Sequence, residues 1–337
     1  MQFLFKYRIP LYIFLIPVAL FLSLSVYSKY KKKQTLVAVP GPIVSKCPDD
    51  MKMTRLPGYK LIHPLIMADI ADESAEFNGI KRNVSSYIND VVNSQHAKHV
   101  SVYFRRMNDG SWFSINENET YNPASLSKMI YLLTYLKEAS IYPSILKKKI
   151  LFREHLSNNV QNIKSVTMTE NTYYSVEELL VRMIANSDNE AVALLSQNVN
   201  PVLYKNLFTD LQINSPPTDN GEYFISPIEM SKFFQVLYNG TYIGPKLSEF
   251  GLEVLTHCDY KNGIIAGLDS SIVVAHKFGE RVLGNTAQLH EFGIVYFNNS
   301  PYLIGVMSSG NNLNELAEIL KHISMMVYQY NSGSGGA

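Results

Sequence analysis

The chain has 337 residues, 46% of them hydrophobic, and 30 basic against 29 acidic residues give a formal charge of +1. That suffices for a sizeable core in one large domain or two moderate ones, and the balanced charge, with no zinc-knuckle or RNP-like signature, excludes an ordinary nucleic-acid binder. Its two cysteines, Cys47 and Cys258, have no CxxC spacing and are either one disulfide or two free thiols.

In chain order, the first feature is Ile9–Tyr27, nineteen residues without a charge, long enough to cross a bilayer as a helix. Lys6 and Arg8 precede it, and Lys29, Lys31, Lys32 and Lys33 follow it. Flanking charge alone would keep the C-terminal bulk inside, but a long domain can be translocated regardless of such charge. Residues 1–33 are therefore expected to be an uncleaved membrane anchor; a cleaved signal peptide, cut near Ser23, Ser25 or Ser28, is the alternative. Pro40, Gly41, Pro42 and Pro57 mark a linker over 34–58, and the Gly/Ser-rich residues 331–337 read as a flexible tail.

Between these ends, Ser74–Asn93 carries Phe77, Ile80, Val84, Ile88 and Val91 at helical spacing. His99–Arg105 and Ser111–Ile115 read as strands joined by an Asn108-Asp109-Gly110 turn. Pro123 stops any preceding helix, so Ser125 is expected in the first turn of the helix that continues through Met129–Leu133. Amphipathic helices are expected at Val176–Ile184, Glu190–Gln197 and Pro227–Tyr238, strands at Ile272–His276, Gly293–Phe297 and Tyr302–Ser308, and a closing helix at Leu313–Tyr330. Strands at both ends with helices between them predict an α+β fold over 59–330: an antiparallel sheet from distant segments, flanked by helices, with an all-α subdomain inserted.

Three stretches carry chemistry. Lys128 follows Ser125 by three residues, which on a helix puts its amine on the same face as the Ser125 hydroxyl. Ser187-Asp188-Asn189 is a polar break between two apolar helices. It reads as an N-cap, or as a second hydroxyl able to pass a proton beside an amide that holds a substrate carbonyl. Lys277-Phe278-Gly279 ends a buried-looking strand, and Gly279 lets a substrate lie close to the backbone. The eight histidines show no HExxH or paired ligand spacing; His276 reads as an ordinary strand residue, and no metal or cofactor is expected.

In this order, Ser125-x-x-Lys128, Ser187-Asp188-Asn189 and Lys277-x-Gly279 resemble the motif set of class A β-lactamases and penicillin-binding proteins. Tyr173–Leu180 resembles the family's helix leading into Ser-Asp-Asn. The resemblance implies the αβα sandwich of the β-lactamase/transpeptidase-like fold and an acyl-enzyme on Ser125, with Lys128 as base or proton relay and Ser187 passing the proton to the leaving nitrogen. It also implies an oxyanion hole from the backbone N–H groups of Ser125 and Glu280, with Asn189, Lys277 and Gly279 binding substrate. Two departures stand out. Phe278 replaces the usual Thr or Ser that helps bind the substrate carboxylate, leaving Arg281 to compensate. Ser187 and Lys277 are closer in sequence than in typical class A enzymes, and Ser215–Tyr223 contains no Glu-x-x-Asn; Glu222 and Asp219 are the only nearby acids, with Glu222 the candidate deacylation base.

Three readings follow from the resemblance. The first is a β-lactamase-like serine hydrolase with weak deacylation, acting on a β-lactam or a D-Ala-D-Ala-type substrate. The second is a membrane-anchored D-alanyl-D-alanine carboxypeptidase, and the third a non-hydrolytic sensor of peptidoglycan stem peptides or antibiotic. All place the domain outside the cytoplasm on a single-pass anchor in a bacterial cell membrane.

Overall fold

The computed structural model describes residues 51–62, 64–155, 167–217 and 221–333. A hairpin of β1 (Met51–Arg55) and β2 (Leu65–Ile70) comes first. Helix α1 (Asn78–Asn93), β3 (His99–Arg106) and β4 (Trp112–Ile115) follow, close to expectation. A 3-10 turn over Ala124–Ser127 then leads into α2 (Lys128–Ile141), and β5 (Lys149–Phe152) pairs with β6 (Thr172–Ser175). The inserted helices are α3 (Val176–Ala185), α4 (Asn189–Ser196), α5 (Pro201–Leu211), α6 (Pro227–Asn239) and α7 (Pro245–Thr256). Strands β7 (Val273–Leu283), β8 (Thr286–Tyr296) and β9 (Tyr302–Gly310) and helix α8 (Leu313–Ser332) close the domain.

The main sheet is antiparallel with strand order β4-β3-β9-β8-β7, so the first and last thirds of the chain share one sheet. Its alternating side chains feed two cores. Phe292, Ile294, Leu303 and Met307 face the inserted helices. Leu289, Val295, Ile304 and Val306 face the opposite way, against Ile80 and Val84 of α1 and Leu316, Leu320 and Ile323 of α8. The expected α+β layering is thus the observed one. Strong caps fix the helices that matter for the site: Ser175 and Ser226 each form a reciprocal capping box, with Glu178 and Glu229, and Asp188 caps α4.

Several expectations need correction. The expected linker ends early, because β1 occupies Met51–Arg55. The helix α8 runs two residues past Tyr330 into the expected tail. β7 and β8 are longer than the apolar runs that predicted them, since their added halves pair with each other around Gly284. Ser125 sits in the 3-10 turn ahead of α2 rather than in its first α-helical turn. Among the described residues no helix is long and apolar enough to cross a membrane. The expected anchor at 1–33, Cys47 and Asp219 lie outside the described residues.

Candidate active site

Ser125 lies on the turn that packs against β7, the edge strand of the sheet. The approach is tight enough to require glycine at 279: a Cβ there would stand 2.6 Å from the Pro123 carbonyl oxygen, 2.9 Å from the Leu126 nitrogen and 3.1 Å from the Ser125 nitrogen. Ala124, beside Ser125, has φ 47°, a left-handed conformation unfavourable for a residue with a side chain. The backbone before Ser125 is held by an Asn122 Oδ1 acceptor for the Ala124 N–H, 3.0 Å, and by mutual Tyr121–Ile225 backbone bonds that join it to the segment ahead of α6.

Lys128 is 3% exposed, and its ammonium nitrogen donates to the Ser187 hydroxyl at 3.0 Å, to Asn189 Oδ1 at 2.8 Å and to the Ser187 carbonyl. Burial, and then the positive charge of Lys277, hold its pKa well below the ordinary lysine value. Ser187 adopts φ 53°, a second left-handed residue, and its hydroxyl also accepts from Lys277 Nζ at 3.2 Å. The structure therefore brings both lysines onto the Ser187 hydroxyl and Asn189 onto the Lys128 amine. Asn189 serves Lys128 through its carbonyl oxygen, so its NH₂ is not used in that bond.

Lys277 is completely buried, donates to the Phe278 carbonyl at 2.9 Å and lies 4.0 Å over the Phe278 ring. That ring stacks on Tyr260 with centroids 4.4 Å apart. Phe278 thus gives the lysine an aromatic support. Strand alternation puts Arg281 on the same face as Lys277 and Gly279, yet its guanidinium is engaged by Glu222 through both nitrogens. Glu222 is exposed, and this pairing lowers its carboxyl pKa, the wrong direction for a general base near neutrality.

One cluster was missed from the sequence. His276 is no ordinary strand residue: its Nδ1 meets Glu291 Oε1 at 2.6 Å, and both side chains are fully buried. Glu291 also accepts the Ile264 N–H at 2.7 Å. Burial opposes charge on His276, but Cys258 and Glu291 overcome it and raise its pKa to about 9. Cys258 is a buried free thiol, lowered against burial by Lys277 and His276. The only available signal was a His290-Glu291 pair inside an apolar run; strand register was needed to find its partner.

A family model described as the β-lactamase enzyme family matches residues 83–331. Among solved structures, PBP-A is 21% identical with a TM-score of 0.62, the match covering 74% of this chain and 96% of that one. The TLA-1 extended-spectrum β-lactamase is 18% identical with a TM-score of 0.65, covering 74% and 98%. A β-lactamase from Chitinophaga pinensis is also 18% identical with a TM-score of 0.65, covering 74% and 99%. No curated protein sequence matches. The structural likenesses carry the fold, and the family match over most of the chain carries the assignment: this protein belongs to the β-lactamase enzyme family and is a β-lactamase-like serine hydrolase.

Proposed function

We propose that the protein forms an acyl-enzyme on Ser125 with a β-lactam or a D-Ala-D-Ala-type substrate and releases it slowly. The observation that carries this reading is the buried Lys128 amine, depressed in pKa and bonded to Ser187 and Asn189 one turn from Ser125. Lys128 in its neutral form takes the Ser125 proton as Oγ bonds to the carbonyl carbon. Ser187 passes a proton to the nitrogen as the C–N bond breaks. The oxyanion lies between the backbone N–H groups of Ser125 and Glu280, which the close packing at Gly279 supports. Lys277 adds positive potential, Asn189 holds the substrate amide, and Arg281 meets its carboxylate by displacing Glu222. Residues 9–27 anchor the chain in a bacterial cell membrane with the domain outside the cytoplasm.

Slow release is supported by the missing Glu-x-x-Asn and by the engagement of Glu222 with Arg281. The same two observations favour a second reading, a D-alanyl-D-alanine carboxypeptidase that meets β-lactams only as inhibitors. A fluorescent penicillin tests the first step: it labels the wild-type chain covalently and leaves Ser125→Ala unlabelled. Absence of labelling, with no lactam turnover, overturns the proposal. Release of D-alanine from a stem pentapeptide gives the second reading first place.

A further inference from the structure

The β1–β2 hairpin lies outside the stretch that matches the family, and no candidate catalytic residue belongs to it. Its root is held. Ile66 and Met67 are buried, Asn239 Nδ2 donates to the Ile66 carbonyl at 3.0 Å, Arg105 donates to Asp69 at 2.9 Å and to the Ala68 carbonyl at 2.7 Å, and Trp112 Nε1 donates to the Ile70 carbonyl at 2.8 Å. Its tip is uncovered: Leu61 is 88% exposed, Ile62 57% and Tyr59 49%, with Met53 and Leu65 also exposed. Large apolar side chains gathered in this way on a surface mark an interaction site.

The surrounding charge selects the partner. No acidic residue occurs from Met51 to Ala68, while Lys52, Arg55 and Lys60 are all exposed. Aliphatic tips, an interfacial tyrosine and lysine or arginine against phosphate are the chemistry of an anionic bilayer surface. The described chain begins at Met51, at the root of the hairpin, and the apolar run 9–27 lies upstream. Residues 28–50 between them span up to about 3.3 Å each when extended, so the tip can reach the bilayer that holds the run. The root bonds to β3 and β4, the sheet edge opposite β7, so hairpin and Ser125 turn occupy opposite edges.

We propose that the β1–β2 tip is a lipid-docking element that inserts Tyr59, Leu61 and Ile62 into an anionic headgroup layer. The inference rests on the reading of residues 9–27 as an anchor in the same bilayer. Insertion to about 5–10 Å is the depth typical of interfacial elements.

The test uses the full chain with Cys47→Ser and Leu61→Cys, labelled with an environment-sensitive NBD fluorophore and reconstituted into phosphatidylglycerol-rich vesicles. The label is expected to shift to the blue and to be quenched several-fold by lipids carrying a nitroxide near the headgroup. The same label at Val202→Cys, an exposed apolar position on α5, shows neither effect, and Lys52, Arg55 and Lys60 changed together to Gln weaken the quenching at 61. A Leu61 label that matches the Val202 label overturns docking. If the chain then survives a carbonate wash with the vesicles, the anchor reading stands alone; if it washes off, both fall. A blue shift without lipid quenching means a second copy covers the tip and also overturns the proposal, whereas lipid quenching of a chain that washes off supports docking and removes the anchor.

Discussion

At the scale of single residues, the proposed chemistry depends on which of two neighbouring lysines is neutral. Lys128 is depressed by burial and by Lys277, whereas the downward pull of burial on Lys277 is partly offset by Cys258, Asp259, Glu291 and Glu280. Acylation should therefore rise with pH as Lys128 loses its proton, with a midpoint well below 10.5, and stopped-flow acylation across pH checks it. Lys128→Met should cut acylation about 100-fold or more, the usual worth of a positioned base. Glu222→Gln should leave deacylation unchanged while lowering the apparent KM for penicillins, because Arg281 then has no competing carboxylate. A large fall in deacylation instead would make Glu222 the base. Ser125, Lys128, Ser187 and Lys277 were legible as candidates because each motif is short and sits where helix or strand pattern changes. The contacts of Phe278 were not, since its stacking partner Tyr260 is eighteen positions away, in the loop after α7.

At the scale of elements, the site is held together because edge strand β7 packs against the Ser125 3-10 turn without a side chain between them. Gly279→Ala should push β7 from the Ser125 turn, since the nearest atoms are backbone and cannot rotate away. The expected result is loss of acylation together with a lower Tm. Restoring a hydroxyl by Phe278→Thr should not improve the enzyme: the buried ring supports Lys277 and stacks on Tyr260, so the change should cost about 3 kcal/mol by denaturant unfolding. Periodicity located α1, α3, α4, α6 and α8 well. It missed α5 and α7, whose Pro201 and Pro245 resemble breaks but occupy the N-terminal turn where proline is tolerated. It also missed β1, β2, β5 and β6, four to six residues long and defined by pairing rather than by pattern.

At the scale of the whole molecule, two buried histidines act in opposite directions on stability. His276, raised from 6.5 to about 9, contributes stability that is fully present below pH 6.5 and is lost as pH rises through about 9. His290 is pushed down to about 4 by burial, against its bond to the Asn122 carbonyl; its contribution is present above pH 6.5 and is lost as pH falls toward 4. Tm should therefore peak near pH 6.5, and Glu291→Gln should flatten the alkaline limb, which thermal scans across pH will show. The overall layering was readable because strand-like sequence recurs at both ends of the domain. The buried His276–Glu291 pair was not, because only the β7–β8 register brings positions fifteen apart into contact.

The central claim is that Ser125 is acylated readily and released slowly. Intact mass of the chain after brief exposure to a penicillin, followed over hours once free drug is removed, tests it most directly. The account predicts a single adduct of the intact penicillin mass that persists, and none on Ser125→Ala. A chain that returns rapidly to its unmodified mass while hydrolysing the drug, or one that never gains the adduct, would contradict it.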